Sequence, residues 1–86
     1  MKLKDAHKRA TRTLDKARSE NSHYMLLTGE MNGAKLDMGA AMSASPEVLA
    51  EMLLASMRES SETAFAVLDA AQRYAEAYYA NEQEIN

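Results

Sequence analysis

The chain has 86 residues, 47% of them hydrophobic, a net charge of −3 and no cysteine. This length allows one small domain, and the lack of cysteine excludes disulfides and thiolate metal sites. No run reaches the ~18 apolar residues of a membrane span and the charged N-terminus lacks the apolar core of a signal peptide, so we expect a cytoplasmic protein with no membrane partner.

The scarcity of strand-forming residues determines the predicted fold class. Val occurs twice and Ile once, and the chain has only three Gly and one Pro. Helix formers such as Ala, Leu, Met, Glu and Gln dominate instead. The composition therefore predicts an all-α fold, in which residues 1–86 form a single helical domain built as a helical hairpin with a long C-terminal helix.

Residues 2–18 have the pattern of an amphipathic helix with one strongly basic side. Residues 1–18 carry seven Lys/Arg and two Asp, hence +5, whereas residues 19–86 carry three Lys/Arg and eleven Asp/Glu, hence −8. Small apolar residues recur at three- and four-residue spacing on the other side. The candidate contacts for an anion or a nucleic acid are Lys4, Lys8, Arg9, Arg12 and Lys16.

The segment after this helix has conflicting signals. A seven-residue series of Leu3, Ala10, Ala17, Tyr24, Met31 and Met38 favours continuation of the helix. Three glycines between residues 29 and 39 each disfavour a helix by about 1 kcal/mol, and Asn32-Gly33 is also compatible with a turn. We predict a basic helix over about 2–28, followed by an irregular or kinked segment with a short helix over about 29–44.

The C-terminal part predicts a long helix over about 46–80, followed by a frayed tail at 81–86. Ser45 can cap the first turn and Pro46 suits the first helical position, and about 33 residues without Gly or Pro follow. The apolar arc of this helix covers roughly half of its circumference, more than one neighbouring helix can cover. The predicted interface consists of Tyr24, Leu53, Met57, Phe65, Leu68, Tyr74 and Tyr78.

A lone helical hairpin would leave this arc exposed, and a large exposed apolar surface usually marks an interface. Two such hairpins can hide it by pairing into a four-helix bundle with two-fold symmetry. We therefore expect a homodimer or a higher homo-oligomer.

The acidic residues of the long helix form a second candidate surface. At 100° per residue they align on one side, which would suit a basic partner: Glu47, Glu51, Glu62, Asp69 and Glu76. Catalytic and cofactor signals are weak, because Glu20 and His23 form only one pair of the kind that a di-iron bundle repeats, and no serine lies in a nucleophile elbow. We expect neither an enzyme nor a cofactor.

Three functional hypotheses remain at this level. The first is a non-enzymatic oligomeric interaction protein that docks a charged face on a protein partner, as an inhibitor, adaptor or regulator, including one of a phage or another mobile genetic element. The second is a small nucleic-acid-binding regulator that uses the basic helix. The third is binding of an anionic small ligand between subunits.

Overall fold

The computed structural model describes residues 2–79, so the predicted tail at 81–86 lies outside the described residues. Its elements are α1 (Leu3–Ala17), β1 (Tyr24–Asn32), β2 (Lys35–Ser43), α2 (Pro46–Glu59) and α3 (Ser61–Tyr78). The prediction of an all-α four-helix bundle is wrong, because β1 and β2 form a two-stranded antiparallel sheet. The chain divides into two compact units, and the boundary in the sequence falls within α2, between Ala50 and Glu51.

The turn between the strands depends on one glycine. Asn32 pairs with Lys35, which leaves Gly33 and Ala34 as a two-residue loop. Gly33 has a φ of +64°, and among the described residues no other residue has a positive φ. A positive φ at only the first loop position is the pattern of a type II′ turn, whose twist matches that of the paired strands. The turn that Asn32-Gly33 allowed is therefore formed.

The strands replace the helix predicted to about residue 28 and the short helix predicted within 29–44. Leu36, Met38, Ala40 and Met42 alternate with polar or small residues along β2, which is the period of a strand. Gly29 and Gly39 lower the helix propensity of the segments that contain them. The chain reverses direction at Gly33, which lets β1 and β2 pair. Cross-strand pairing thus overrides the helix preference of Met, Leu and Ala.

Helix α1 ends at Ala17 because the following residues form a local turn. The Ser19 amide donates to Ser22 Oγ at 3.1 Å, and the Ser22 amide donates to the Ser19 carbonyl at 3.1 Å. Such side-chain bonds to the backbone compete with helical hydrogen bonds. The amphipathic basic helix is confirmed, but only over Leu3–Ala17.

The predicted helix 46–80 begins where expected but does not continue unbroken. The Val48 amide donates to Ser45 Oγ at 3.3 Å, which is the predicted cap before Pro46. Ser60 is extended, with φ −139° and ψ 115°, and its Oγ accepts from the Thr63 amide at 3.2 Å. The prediction of one long helix is wrong because this second serine cap starts α3 anew.

Helix α1 packs on one face of the hairpin, which we call the covered face. Asp15 lies beside Tyr24 and His7 beside Thr28, so α1 runs antiparallel to β1. Apolar residues on these elements are partly buried: Ala6, Ala10 and Leu14 of α1, Leu26 of β1 and Ala41 of β2. Because a two-stranded hairpin is marginal alone, this helix supplies the packing that it requires.

The apolar residues that the structure describes are not enclosed in a core. From Lys2 to Tyr79 no residue is buried, although nearly half of the chain is hydrophobic. Among the three helices of this described part, none has the length and apolar character needed to span a bilayer. Exposed apolar surface of this extent usually marks a site of contact with another molecule.

Candidate functional site

The outward side of α1 carries an array of cations, which we call the basic face. Every one of its members is exposed: Lys4, Lys8, Arg9, Arg12 and Lys16. Within residues 2–79 the ion pairs are Lys35–Asp37 at 4.0 Å and Asp69–Arg73 at 3.0 Å, so none involves the basic face. Its charge is therefore available to a ligand.

Polar contacts on the opposite side hold α1 in place. A 3.0 Å hydrogen bond links His7 Nδ1 and Thr28 Oγ1 near the middle of the helix. At its C-terminal end, the Tyr24 hydroxyl donates to Asp15 Oδ1 at 2.6 Å, and Arg18 donates to Ser43 Oγ. Because these bonds use none of the five cations, α1 is anchored without involving its basic face.

The Tyr24 contact also changes an acid–base equilibrium. The hydrogen bond to Asp15 raises the pKa of Tyr24 above its ordinary value of 10.0, and partial desolvation and the negative charge of Asp15 add to this effect. The positive charge of Arg18 opposes it. The phenol donates only while protonated, so this anchor is made by neutral Tyr24.

The five predicted acidic residues are distributed over two helices. Glu47 and Glu51 lie on α2, and the other three lie on α3 beyond the extended Ser60. Two of the three already have partners, since Asp69 pairs with Arg73 and Glu76 accepts from Gln72 at 3.2 Å. The five residues would share one face only if α2 and α3 formed one continuous helix. The extended backbone at Ser60 separates the two helices. The basic face is the more uniform charged surface.

The predicted interface residues divide into three groups. Tyr24 lies on the covered face, in contact with α1. Leu53 and Met57 are half-buried on α2. Four residues of α3 are exposed, led by Phe65 at 73%: Phe65, Leu68, Tyr74 and Tyr78. The centroid of the Tyr74 ring lies 4.7 Å from that of the Tyr78 ring and 5.7 Å from that of the Tyr79 ring. The end of α3 therefore presents an aromatic cluster. A role for these residues in an interface stays a prediction.

The face of the hairpin opposite α1 was not predicted, and we call it the open face. Four cross-strand pairs build it: Met25–Met42, Leu27–Ala40, Gly29–Met38 and Met31–Leu36. None of the eight residues is charged or polar, and the six large side chains are 38–62% exposed. The alternation of apolar residues along β2 could have predicted one half of this face. The other half, on β1, could be assigned only once the register of the two strands was known.

Two clefts adjoin the hairpin. One, of about 570 Å³, is lined by residues 18–20, 22–23 and 43–45. A groove of about 1030 Å³ lies between the start of α1 and the strands. Its lining includes Lys4 and Lys8, at the edge of the basic face, together with Lys2, Glu30 and Asp37. Its mixed charge does not favour an anionic ligand over a neutral one.

The Glu20 and His23 pair does not develop into a metal site. His23 Nδ1 accepts a 3.3 Å hydrogen bond from the Ser45 amide. In the part of the chain that the structure describes, no three His, Asp or Glu side chains are grouped closely enough to hold a metal ion. His23 therefore links the segment before β1 to the start of α2.

No family model, curated protein or solved structure matches this chain. Its function has to be inferred from its own surfaces. Two of them stand out, the basic face of α1 and the open face of the hairpin, and they lie on opposite sides of one small sheet.

Proposed function

We propose that the chain is a non-enzymatic interaction protein of the cytoplasm, which docks the basic face of α1 on an acidic surface of a protein partner. It would act as an inhibitor, adaptor or regulator. The observation that carries this proposal is the exposure of five cations on one anchored helix, none of them in an ion pair among residues 2–79.

The energetics of α1 support a role in binding. Lys4, Lys8, Arg12 and Lys16 follow one another at i,i+4 spacing, and each like-charged pair at that spacing costs an isolated helix about 0.2–0.5 kcal/mol. An acidic partner would convert this repulsion into attraction. Because the anchors to Tyr24 and Thr28 fix the helix in advance, binding would cost little further ordering.

The charge of the whole chain supports a protein partner over a long polyanion. The net charge is −3 even though residues 1–18 carry +5. An extended nucleic acid would also meet the remaining negative charge, whereas an acidic patch on a protein can contact the basic face alone. At physiological salt, screening over ~8 Å confines the attraction to such a local contact.

Nucleic-acid binding is a second candidate, favoured by the regular spacing of the cations. One cation per i,i+4 step gives a row with a rise of about 6 Å, which suits contacts along a phosphate backbone. Such contacts would be salt-dependent and largely independent of sequence.

A double charge reversal, Lys8→Glu with Arg12→Glu, tests the proposal. The control is Lys35→Glu with Arg58→Glu, which changes the net charge equally at exposed positions off α1. Tagged chains are used to capture partners with and without nuclease, and the bound protein is identified by mass spectrometry. We expect a specific protein that resists nuclease and is lost only in the α1 variant.

Each other result of this capture has a definite meaning. Capture that disappears with nuclease, together with a salt-dependent gel shift lost in the α1 variant, would favour the nucleic-acid function. Capture that the α1 reversal leaves unchanged would refute docking through the basic face.

A further inference from the structure

The open face is unusual because it has no polar position. Its eight residues belong to four alternate cross-strand pairs, from Met25–Met42 to Met31–Leu36. A sheet with one face on water normally alternates apolar-in and polar-out residues, and here both faces have apolar residues although α1 covers only one. An exposed apolar patch of this kind marks a contact surface.

The shape of the open face is self-complementary at its centre. The two central pairs each join a large and a small residue, Leu27 with Ala40 and Met38 with Gly29. The large side chains occupy one diagonal of this four-residue square and the small residues occupy the other. The outer pairs, Met25–Met42 and Met31–Leu36, are large on both strands. The centre therefore has two projections and two hollows.

We propose that a second copy of this chain docks on the open face, so that two hairpins pack face to face around a two-fold axis. An axis between the sheets and parallel to the strands places Leu27 of each copy over Ala40 of the other, and Met38 over Gly29. A two-fold axis between the sheets and perpendicular to the strands also places each large side chain of the centre over a small residue of the other copy. Alternation of large and small residues lets facing layers interdigitate, and paired sheets lie ~10 Å apart.

The area of the open face is sufficient for such a pair. Each of its six large side chains exposes roughly 100 Å², so each copy contributes about 600 Å². The pair would bury about 1,200 Å², the lower end of the range for specific interfaces. We therefore expect a dimer that dissociates on dilution.

The lack of charge identifies the occupant. A surface with no charged position offers no complementarity to an acidic or a basic partner, whereas a second open face matches it in both polarity and relief. The two basic faces would then point outward from opposite sides of the paired sheets. The dimer is independent of the proposed function, because the basic face lies on the other side of the hairpin.

Introducing charge at the centre of the face tests the dimer. The variant carries Leu27→Glu and Met38→Glu, both at exposed positions, and the control carries Asn21→Glu in the segment before β1. Light scattering over a dilution series should give, for the wild type and the control alike, a dimer that dissociates at low concentration. The double variant should dimerise at least tenfold more weakly, with an unchanged circular dichroism spectrum.

A milder substitution keeps the test decisive if the charged variant unfolds. The chain has no cysteine, so Leu27→Cys provides a unique thiol on the open face and Thr13→Cys provides one on the exposed side of α1. A short bifunctional maleimide should link two copies of the first variant and not of the second. A monomeric wild type, a dimer that survives the double charge variant, or equal crosslinking at both positions would overturn the proposal.

Discussion

The His7 ring lies directly above Gly39, so closely that no side chain fits between them. A Cβ on Gly39 would approach the His7 ring carbons to 3.2 Å and Thr28 Oγ1 to 2.9 Å. Since His7 and Thr28 are hydrogen-bonded to each other, neither can move without loss of that bond. The contact explains why β2 carries a glycine under α1.

Gly39→Ala should therefore destabilise the packing of α1 on the hairpin. Overpacking of this kind costs about 1–3 kcal/mol, and it is measured as the free energy of unfolding in denaturant. The matched control is Gly29→Ala on the open face, where the nearest atom is the end of the exposed Leu36 side chain at 3.0 Å. In dilute protein, where the open faces are unpaired, we expect the control to be neutral or slightly stabilising, and equal losses for the two variants would contradict the close approach at Gly39.

The hydrogen bond between Tyr24 and Asp15 predicts a loss of stability at high pH. The pKa of Tyr24 is raised in the folded chain, so its contribution is complete below the unfolded value of 10.0 and is lost as the pH rises through the folded value. Tyr24→Phe should lack this part of the alkaline loss. Tyrosinate absorbance of the wild type minus that of Tyr24→Phe gives the pKa directly, and a difference titration at or below 10.0 would refute the hydrogen bond.

Gly33→Ala should weaken the hairpin because of its backbone conformation alone. No atom lies within 4 Å of a Cβ at this position, but φ is +64°. A positive φ costs an L-residue about 1–3 kcal/mol, and Gly33→Asn should cost less because asparagine is among the residues favoured where primed turns require a positive φ. Thermal unfolding of both variants provides the comparison. An alanine variant as stable as the wild type would exclude the turn.

Ser60→Ala should join α2 to α3 into a longer helix. Without Ser60 Oγ the Thr63 amide loses its acceptor, whereas a continuous helix would satisfy it by an i−4 carbonyl. The far-ultraviolet circular dichroism signal should therefore increase in helicity. The control, Ser61→Ala, leaves the cap in place, and equal spectra for the two variants would contradict the role of Ser60.

The features predicted correctly are those encoded locally. The basic row from Lys4 to Lys16 defines an amphipathic helix by its spacing alone, and Ser45-Pro46 defines the start of α2. Exposure of the cations follows from the same pattern. None of these depends on residues far away in the sequence.

The features that the sequence did not predict depend on the register of the two strands or on the helix cap at Ser60. The seven-residue spacing of Tyr24, Met31 and Met38 fits a helix, although Met38 lies on a different strand from the other two. Periodicity alone therefore favoured a helix across the turn. Leu27 becomes a neighbour of Ala40 only through the turn at Gly33, and the open face cannot be read without that pairing. Ser60 interrupts a run without Gly or Pro, where propensity favours continuation.

The central claim is that a second copy covers the open face, and isotope-filtered NMR of a mixed sample tests it most directly. Half of the chains are labelled and half are not, so that only contacts between copies are detected. We expect intermolecular contacts from the Leu27 methyl groups to Ala40 or Gly29 of the other copy. Spectra in which these residues show contacts only within their own chain, at concentrations where the protein is fully assembled, would contradict it.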